Sequence, residues 1–303
     1  MIAGSDTDAA DEARRLPAAT LDVIILTRNE ELNIPATLAS VLGWVRHVFV
    51  VDSGSADATR EIARSLGATV VEQPWLGYAR QKNWALANLA VTANWVMILD
   101  ADERVMPDLR QSIQNVLARR PEDVPESGFF INRYFVFLGA RIRHCGYYPS
   151  YNLRLFKRGR ARYEEREVHE HMLVEGSVGY LEGHLEHEDR RGLEEYMAKH
   201  NRYSTLEARE IFALRRGSKR EGLVPSLSGH PMQRRRWLKE AVYARLPGKW
   251  LFRFFFMYVV RAGFLDGLNG LRFCLFMSAY EMLVGLKLVE LEKAEQSMRK
   301  GRV

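Results

Sequence analysis

The first half of the chain alternates short apolar runs with segments of helical period. Leu21-Asp-Val-Ile-Ile-Leu-Thr27, His47-Val-Phe-Val-Val-Asp52, Ala68 to Glu72 and Asn94-Trp-Val-Met-Ile-Leu-Asp100 are nearly continuous in apolar side chains. Runs of this kind are expected of strands covered on both faces, as in a parallel sheet. Between them, Ile34 to Leu42, Ala58 to Leu66 and Gly77 to Leu89 carry helical spacing, and Gly67 stops the second. Strands alternating with helices predict an α/β, doubly wound sheet with right-handed crossovers. Past about Arg120 the alternation weakens. Gly128 to Leu138 and Asn152 to Phe156 read as strands of a mixed region, Gly192 to Arg216 as a helix, and 216–231, rich in Gly, Pro and Ser, as a linker. The expected division is a mobile tail over 1–20, an α/β domain over 21–215, and a basic linker with amphipathic helices over 216–303.

Composition narrows the class. An apolar share of 47% and a charged share of 27% over 303 residues describe a globular chain with a sizeable core. Two cysteines, Cys145 and Cys274, are too few for a disulfide scaffold and lack metal-finger spacing, so a reducing compartment is expected. Met1 to Thr20 is polar, and no secretory signal is expected there.

The net charge of +6 is concentrated rather than spread. From Leu214 to Arg253 there are eleven Lys/Arg against Glu221 and Glu240, a belt of +9 that leaves −3 for the rest. No helix-turn-helix, zinc or RNA-binding motif accompanies it, so nucleic acid is not the expected partner. Trp250 to Leu291 is rich in aromatic and aliphatic residues, but Arg253, Arg261, Asp266, Arg272 and Glu281 interrupt it. No uncharged run approaches the roughly 18 residues a spanning helix needs. The expectation is a set of amphipathic helices in the headgroup layer of an anionic membrane, with Arg234, Arg235, Arg236, Trp237, Trp250 and Phe254 in contact. The competing reading is a helical subdomain packed on the body, or an oligomer interface.

In open α/β sheets ligands bind at the carboxyl ends of the strands. Polar residues gather there in three places: Thr27-Arg28-Asn29-Glu30, Asp52-Ser53-Gly54-Ser55 and Asp100-Ala101-Asp102-Glu103. Two carboxylates one residue apart at the end of a buried strand can reach a divalent cation, which takes oxygen ligands and bridges to a diphosphate. Asp52 can accept from a pyrimidine or ribose donor, while Ser55 or Asp57 can cap the following helix.

These segments carry a resemblance. Thr-Arg-Asn-Glu-Glu, Val-Val-Asp-Ser-Gly-Ser-Ala-Asp, Gly77-Tyr-Ala-Arg-Gln-Lys-Asn83 and Leu-Asp-Ala-Asp-Glu resemble the family 2 glycosyltransferases of GT-A fold. His144-Cys-Gly-Tyr-Tyr-Pro149, Arg154-Leu-Phe156, Val168-His-Glu170 and the region of His187 are similar to the lipopolysaccharide core β-1,4-glucosyltransferase subgroup. The resemblance covers roughly Leu21 to Ile211. It implies inverting hexose transfer from a UDP-sugar, with Mg2+ or Mn2+, to a lipid-linked saccharide at the cytoplasmic face of the inner membrane. Thr27, Asn29 and Glu30 would line the nucleoside end with Ser53 and Gly54, and Asp52 would meet the uracil. Arg80 and Lys82 would approach the base or phosphates, although Lys82 reads equally as a solvated lysine. Asp100 and Ala101 would meet the ribose or sugar, and Asp102 the metal.

An inverting transfer needs one base to take the acceptor proton. The family usually carries an acidic pair beginning Glu-Asp at the place where this sequence has Val-His-Glu. Glu170 is the favoured base, with Glu167 next. If Val178 to His187 is extended, His187 shares a face with Leu181 and Leu185, as a metal or diphosphate contact or as a core histidine. His144, Tyr147 and His169 fall on the acceptor side. Gln233-Arg-Arg-Arg-Trp237 also fits a signature of processive polysaccharide synthases, but an arginine cluster produces that match by coincidence. A polyprenyl-phosphate or other glycolipid acceptor, a nucleotidyltransferase, and a non-enzymatic membrane scaffold of degenerate fold are the rivals. Thr27 to Asn33 lacks the glycine-rich phosphate loop of the second, and the intact Asp100-Ala-Asp102 speaks against the third.

Overall fold

A computed structural model of the protein describes residues 20–164, 172–216 and 248–300. They gather into two compact units, divided at 136/137, 148/149 and 191/192. The expected base Glu170 with its alternative Glu167, the acceptor-side His169, and Arg234, Arg235, Arg236 and Trp237 of the belt lie outside the described residues.

The first unit is a mixed sheet with helices. The parallel part comprises β1 (Leu21–Thr27), β2 (His47–Asp52), β3 (Thr69–Glu72) and β4 (Trp95–Asp100), with β1 between β2 and β4. Its helices are α1 (Ile34–Val41), α2 (Thr59–Ser65) and α3 (Tyr78–Asn88). Then follow β5 (Glu103–Val105), α4 (Pro107–Leu117), β6 (Glu126–Phe137), and, beyond β7 (Ala140–Ile142) of the second unit, β8 (Tyr151–Lys157). A ribbon of β9 (Ala161–Tyr163) and β10 (Met172–Val174) and the long β11 (Ser177–His187) complete it. The strand order is β3-β2-β1-β4-β8-β6-β11-β5. β8 runs antiparallel to β4 and β6, which is the mixed region into which the alternation dissolves.

The two-residue period of β1 divides the core. Leu21, Val23 and Ile25 face one side, where α1, α2 and α4 supply Ile34, Leu38, Ala63, Leu109 and Ile113. Ile24 faces the other, with Ala79 and Ala85 of α3. Both faces are therefore covered, and the parallel strands read as continuous apolar runs for that reason. β11 contains a bulge: Leu181 lies opposite Ile131, but the next pair is His184 with Asn132. Because two residues are skipped, the alternation survives. Leu185 is buried, and His187 projects to the same side.

The second unit holds α5 (Leu193–Arg215), α6 (Lys249–Phe255), a π-helical segment over Phe256–Val260, a 3-10 turn over Gly263–Asp266, and α7 (Gly267–Lys300). Ala208, Val284 and Leu288 form a small core where α5 meets α7. Lys287 stitches the two helices by donating to the Asn201 carbonyl at 2.7 Å and to Ser204 Oγ at 2.8 Å. Among the described residues no helix is long and apolar enough to cross a membrane.

Candidate active site

The carboxyl ends of β1, β2 and β4 bring three polar loops together, as parallel strands require. The loops after β1 and β2 are latched to each other by side chains. Asn29 adopts a left-handed conformation (φ 55°) and its Oδ1 accepts the Ala56 amide at 2.8 Å, while its own amide donates to Ser55 Oγ at 2.8 Å. The Glu30 amide donates to Thr59 Oγ1 at 2.8 Å, and the Glu31 amide to Asp57 Oδ2 at 3.2 Å. Asp57 also accepts the Thr59 amide at 3.1 Å.

Asp52 organises this turn from within. Its side chain is fully buried and accepts from Thr27 Oγ1 at 3.1 Å, from the Gly54 and Ser55 amides at 3.1 and 2.8 Å, and from the Ser55 hydroxyl. Thr27 and Ser53 are buried with it. Ser53 Oγ accepts from the buried Gln81 at 3.1 Å, which ties α3 to the same turn.

The end of β4 is built on charge. Arg154 of β8 donates to Asp100 Oδ2 at 2.6 Å and to the fully buried Glu103 Oε1 at 2.7 Å, and Arg133 of β6 reaches the same Glu103 oxygen at 3.1 Å. Glu103 Oε2 accepts the Asp100 amide at 3.2 Å. Burial alone would favour a protonated Asp100, but the Arg154 guanidinium and then the Lys82 ammonium hold it well below the usual carboxylate range. Lys82 is buried and lies over the Tyr163 ring, 4.7 Å from its centroid, which decides against the solvated reading. Arg80 is exposed on the same helix. Asn83, which the helical spacing puts on the Arg80 face, exchanges two hydrogen bonds with the Tyr163 backbone and fixes β9.

Asp102 lies in sequence between the two carboxylates of this network, Asp100 and Glu103, and is buried. The Ala101 carbonyl between the two aspartates accepts from Thr37 Oγ1 at 2.5 Å. His187 Nε2 meets Asp102 Oδ2 at 3.0 Å, and His187 Nδ1 is buried with no hydrogen-bond partner among the described residues. Nearby, Arg191 grips Asp189 through two hydrogen bonds of 2.8 and 2.6 Å and reaches Glu30 Oε1 at 3.0 Å. Asn33 bridges Glu30 and Asp189 at 2.8 and 3.1 Å. Burial first, and then the charge of Asp102, push the Glu30 carboxyl up to about 7, although Asn33 and Arg191 pull the other way.

The pocket around Asp102 thus holds excess negative charge, with one imidazole turned to its carboxylate. That donor set, hard oxygen plus imidazole nitrogen, fits a divalent cation such as Mn2+ or Mg2+. Among the described residues no group of three or more His, Cys, Asp or Glu side chains is arranged to hold a metal on its own. His144 and Tyr147 belong to the second unit. His144 Nδ1 pairs with Asp266 Oδ1 at 2.8 Å, and the Tyr147 hydroxyl lies 3.4 Å from Met277 Sδ. Trp250 is exposed, and Phe254 stacks on Tyr258 at 5.4 Å.

Residues 22–172 match the profile of Glycosyl transferase family 2. The chain is 34% identical over 205 residues to the lipopolysaccharide core biosynthesis glycosyltransferase LpsC of Rhizobium meliloti, covering 64% of this chain and 72% of that one. This chain belongs to glycosyltransferase family 2. An uncharacterized glycosyltransferase of Rickettsia typhi is 39% identical over 103 residues, which is 34% of this chain and 35% of the relative. Among solved structures, glucosyl-3-phosphoglycerate synthase from Mycobacterium tuberculosis, in complex with Mn2+, uridine diphosphate and glucosyl-3-phosphoglycerate, aligns with a TM-score of 0.39 at 19% identity, over 71% of this chain and 84% of that one.

The mixed sheet flanked by helices is the family's GT-A-like architecture. Three sets of contacts in the candidate site are not given by the motifs, even where a motif contains the residue: the Arg154–Glu103–Arg133 network, the Glu30–Asn33–Asp189–Arg191 cluster, and Gln81 under the Asp52 turn. Each joins segments far apart in sequence. Arg154 carried two signals, its place in the Arg154-Leu-Phe156 motif and its charge inside the apolar Leu153-Arg-Leu-Phe156, but neither names its partners.

Proposed function

We propose that this family 2 glycosyltransferase inverts configuration, depends on a divalent metal, and moves a hexose, glucose, from a UDP-sugar to a lipid-linked saccharide of the lipopolysaccharide inner-core type. Its place of work is the cytoplasmic face of the inner membrane, where the basic belt holds it peripherally. The observation that carries the reading is the convergence of Asp102, His187 and Glu30 at the end of β4. The name of the Rhizobium relative, a lipopolysaccharide core biosynthesis enzyme, supports the acceptor class.

Asp102 and His187 would hold Mg2+ or Mn2+, whose chemistry here is neutralisation of the diphosphate leaving group. Arg154 and Lys82 keep Asp100 ionised, so that it accepts from hydroxyls of the ribose or sugar without giving up a proton. The latched loops after β1 and β2 fix a polar rim for the nucleoside with Asn29, Gly54 and the Asp52 turn. Arg80 is exposed on this helix, and its guanidinium suits the diphosphate. A carboxylate, Glu170 or in its place Glu167, takes the acceptor proton. The acceptor oxygen then bonds to the anomeric carbon while the bond to the diphosphate breaks and UDP departs.

Asp102→Ala tests the assignment. With saturating Mg2+ or Mn2+ it is expected to lower kcat for transfer by roughly 100-fold or more, through lost charge stabilisation at the leaving group. Unchanged transfer would contradict the metal role.

A further inference from the structure

We infer that residues 250–268 of the second unit form a lipid-contact surface that adheres by apolar embedding, and that the loop carrying His144 is fastened to it. This deepens the membrane seat of the proposed function and rests on that reading for its biological setting. Four charged residues occur in the stretch from Lys249 to Leu268, and the fold draws each toward a partner. Lys249 and Arg253 both pair with Glu281 of α7, at 3.0 and 3.4 Å. Arg261 lies over the Phe256 ring, 5.5 Å from its centroid, with a stem that can snorkel along apolar surface. Asp266 is buried beneath the Arg143 and His144 amides and the His144 ring, at 3.2, 2.8 and 2.8 Å.

The apolar side chains do the opposite. Leu251, Phe252, Phe255 and Leu268 are more than half exposed, and Val260 and Leu265 keep 59% and 61% of their surface. A soluble surface does the reverse, and an apolar concentration of this size marks an interaction site.

The chain reverses between left-handed Ala262 (φ 52°) and Gly267 (φ 62°). The intervening turn is pressed on α7 so closely that a Cβ at Gly270 would lie 2.1 Å from the Gly263 carbonyl oxygen. The surface is therefore pre-formed. The same packing carries the His144 loop, since the Cys145 amide donates to the Arg261 carbonyl at 3.1 Å and its Sγ lies 3.5 Å from that of Cys274.

Charge selects the occupant. In sequence, 214–248 carries nine Lys/Arg against two Glu and runs directly into this surface, and such a segment complements the anionic headgroups of a leaflet. The contact is with a lipid leaflet, entered to the depth of the headgroup and acyl boundary.

The test places an environment-sensitive fluorophore at Leu265→Cys, with Leu66→Cys on the sheet unit as reference. Both native cysteines are buried, which directs labelling to the new site. On phosphatidylcholine–phosphatidylglycerol vesicles the label at 265 is expected to shift to the blue and be quenched by acyl-brominated lipid, also in high salt, and the label at 66 is not. A label at 265 that stays in water on bound protein, or release of the protein by high salt, would overturn the inference in favour of belt electrostatics. A blue shift without vesicles that grows with protein concentration would overturn it in favour of a second copy. Val260→Glu and Leu265→Glu are each expected to weaken vesicle partition about tenfold. Transfer to a soluble, deacylated acceptor should be unchanged in both variants. If the wild type shows no transfer while embedding holds, it is the transferase reading that fails.

Discussion

Glu30 is poised by its surroundings between a neutral and a charged form. Its carboxyl titrates at about 7 against an ordinary 4.5, chiefly because it is buried, and next because Asp102 is near. A carboxyl whose pKa is raised on folding stabilises the fold fully below the unfolded value and loses that contribution as pH rises through the folded one. Without metal, stability should therefore fall between pH 4.5 and about 7, by up to about 3 kcal/mol. Glu30→Gln keeps an acceptor for Asn33 and removes the titration. Urea unfolding in EDTA is expected to find the variant more stable than wild type at pH 8, and the gap should close at pH 4.5 or on adding Mn2+. Equal pH slopes for the two proteins would show that Glu30 does not carry the charge excess. At this scale the sequence revealed the carboxylates but not what holds them. Asp100 and Asp102 are legible because a buried strand ends in them. Arg154, Arg133 and Arg191 are not, because each finds its partner across 30 to 161 residues of chain and only the folded sheet brings them together.

The elements carry these side chains with small tolerances. β11 delivers His187 to Asp102 only because its bulge skips an even number of residues, which leaves the face of Leu185 and His187 unchanged. Gly183 sits in the bulge at φ 91°, and a Cβ there would lie 2.3 Å from the Leu109 backbone nitrogen at the start of α4. Gly183→Ala meets both backbone strain and an unyielding neighbour, and is expected to cost about 2–4 kcal/mol, read as a lower urea midpoint. It should also weaken metal binding more than a surface change of equal destabilisation, since the register at His187 depends on the bulge. A variant of full stability would mean that the bulge can relax. The parallel half of the sheet was legible almost to the residue: β1 and β2 begin and end where their apolar runs do. Burial on both faces is the reason, because it leaves the pattern nothing but the strand itself to report. The bulge, the β9–β10 ribbon and the 34-residue α7 were not legible as such, since they answer to tertiary packing.

Across the whole chain two chemistries are kept apart in sequence. The residues before the belt, 1–213, carry the strand-end carboxylates and a net charge of −5, while the belt of +9 over 214–253 runs into the apolar surface over 250–268. The family motifs fall within the former. The latter lies past the residues that match the family profile, so nothing in that profile accounts for it. The proposed seat on a membrane would raise the encounter with a lipid-linked acceptor held on the same surface, without further contacts to the sugar. The central claim, however, concerns the donor and its metal at Asp102, and thermal unfolding with UDP- and GDP-sugars, each in Mn2+ and in EDTA, tests it most directly. A UDP-sugar with Mn2+ should raise Tm by several degrees more than either alone, through preferential binding to the folded state, and Asp102→Ala should lose the metal-dependent part. A shift of the same size in EDTA, or none with any UDP-sugar, would contradict the account.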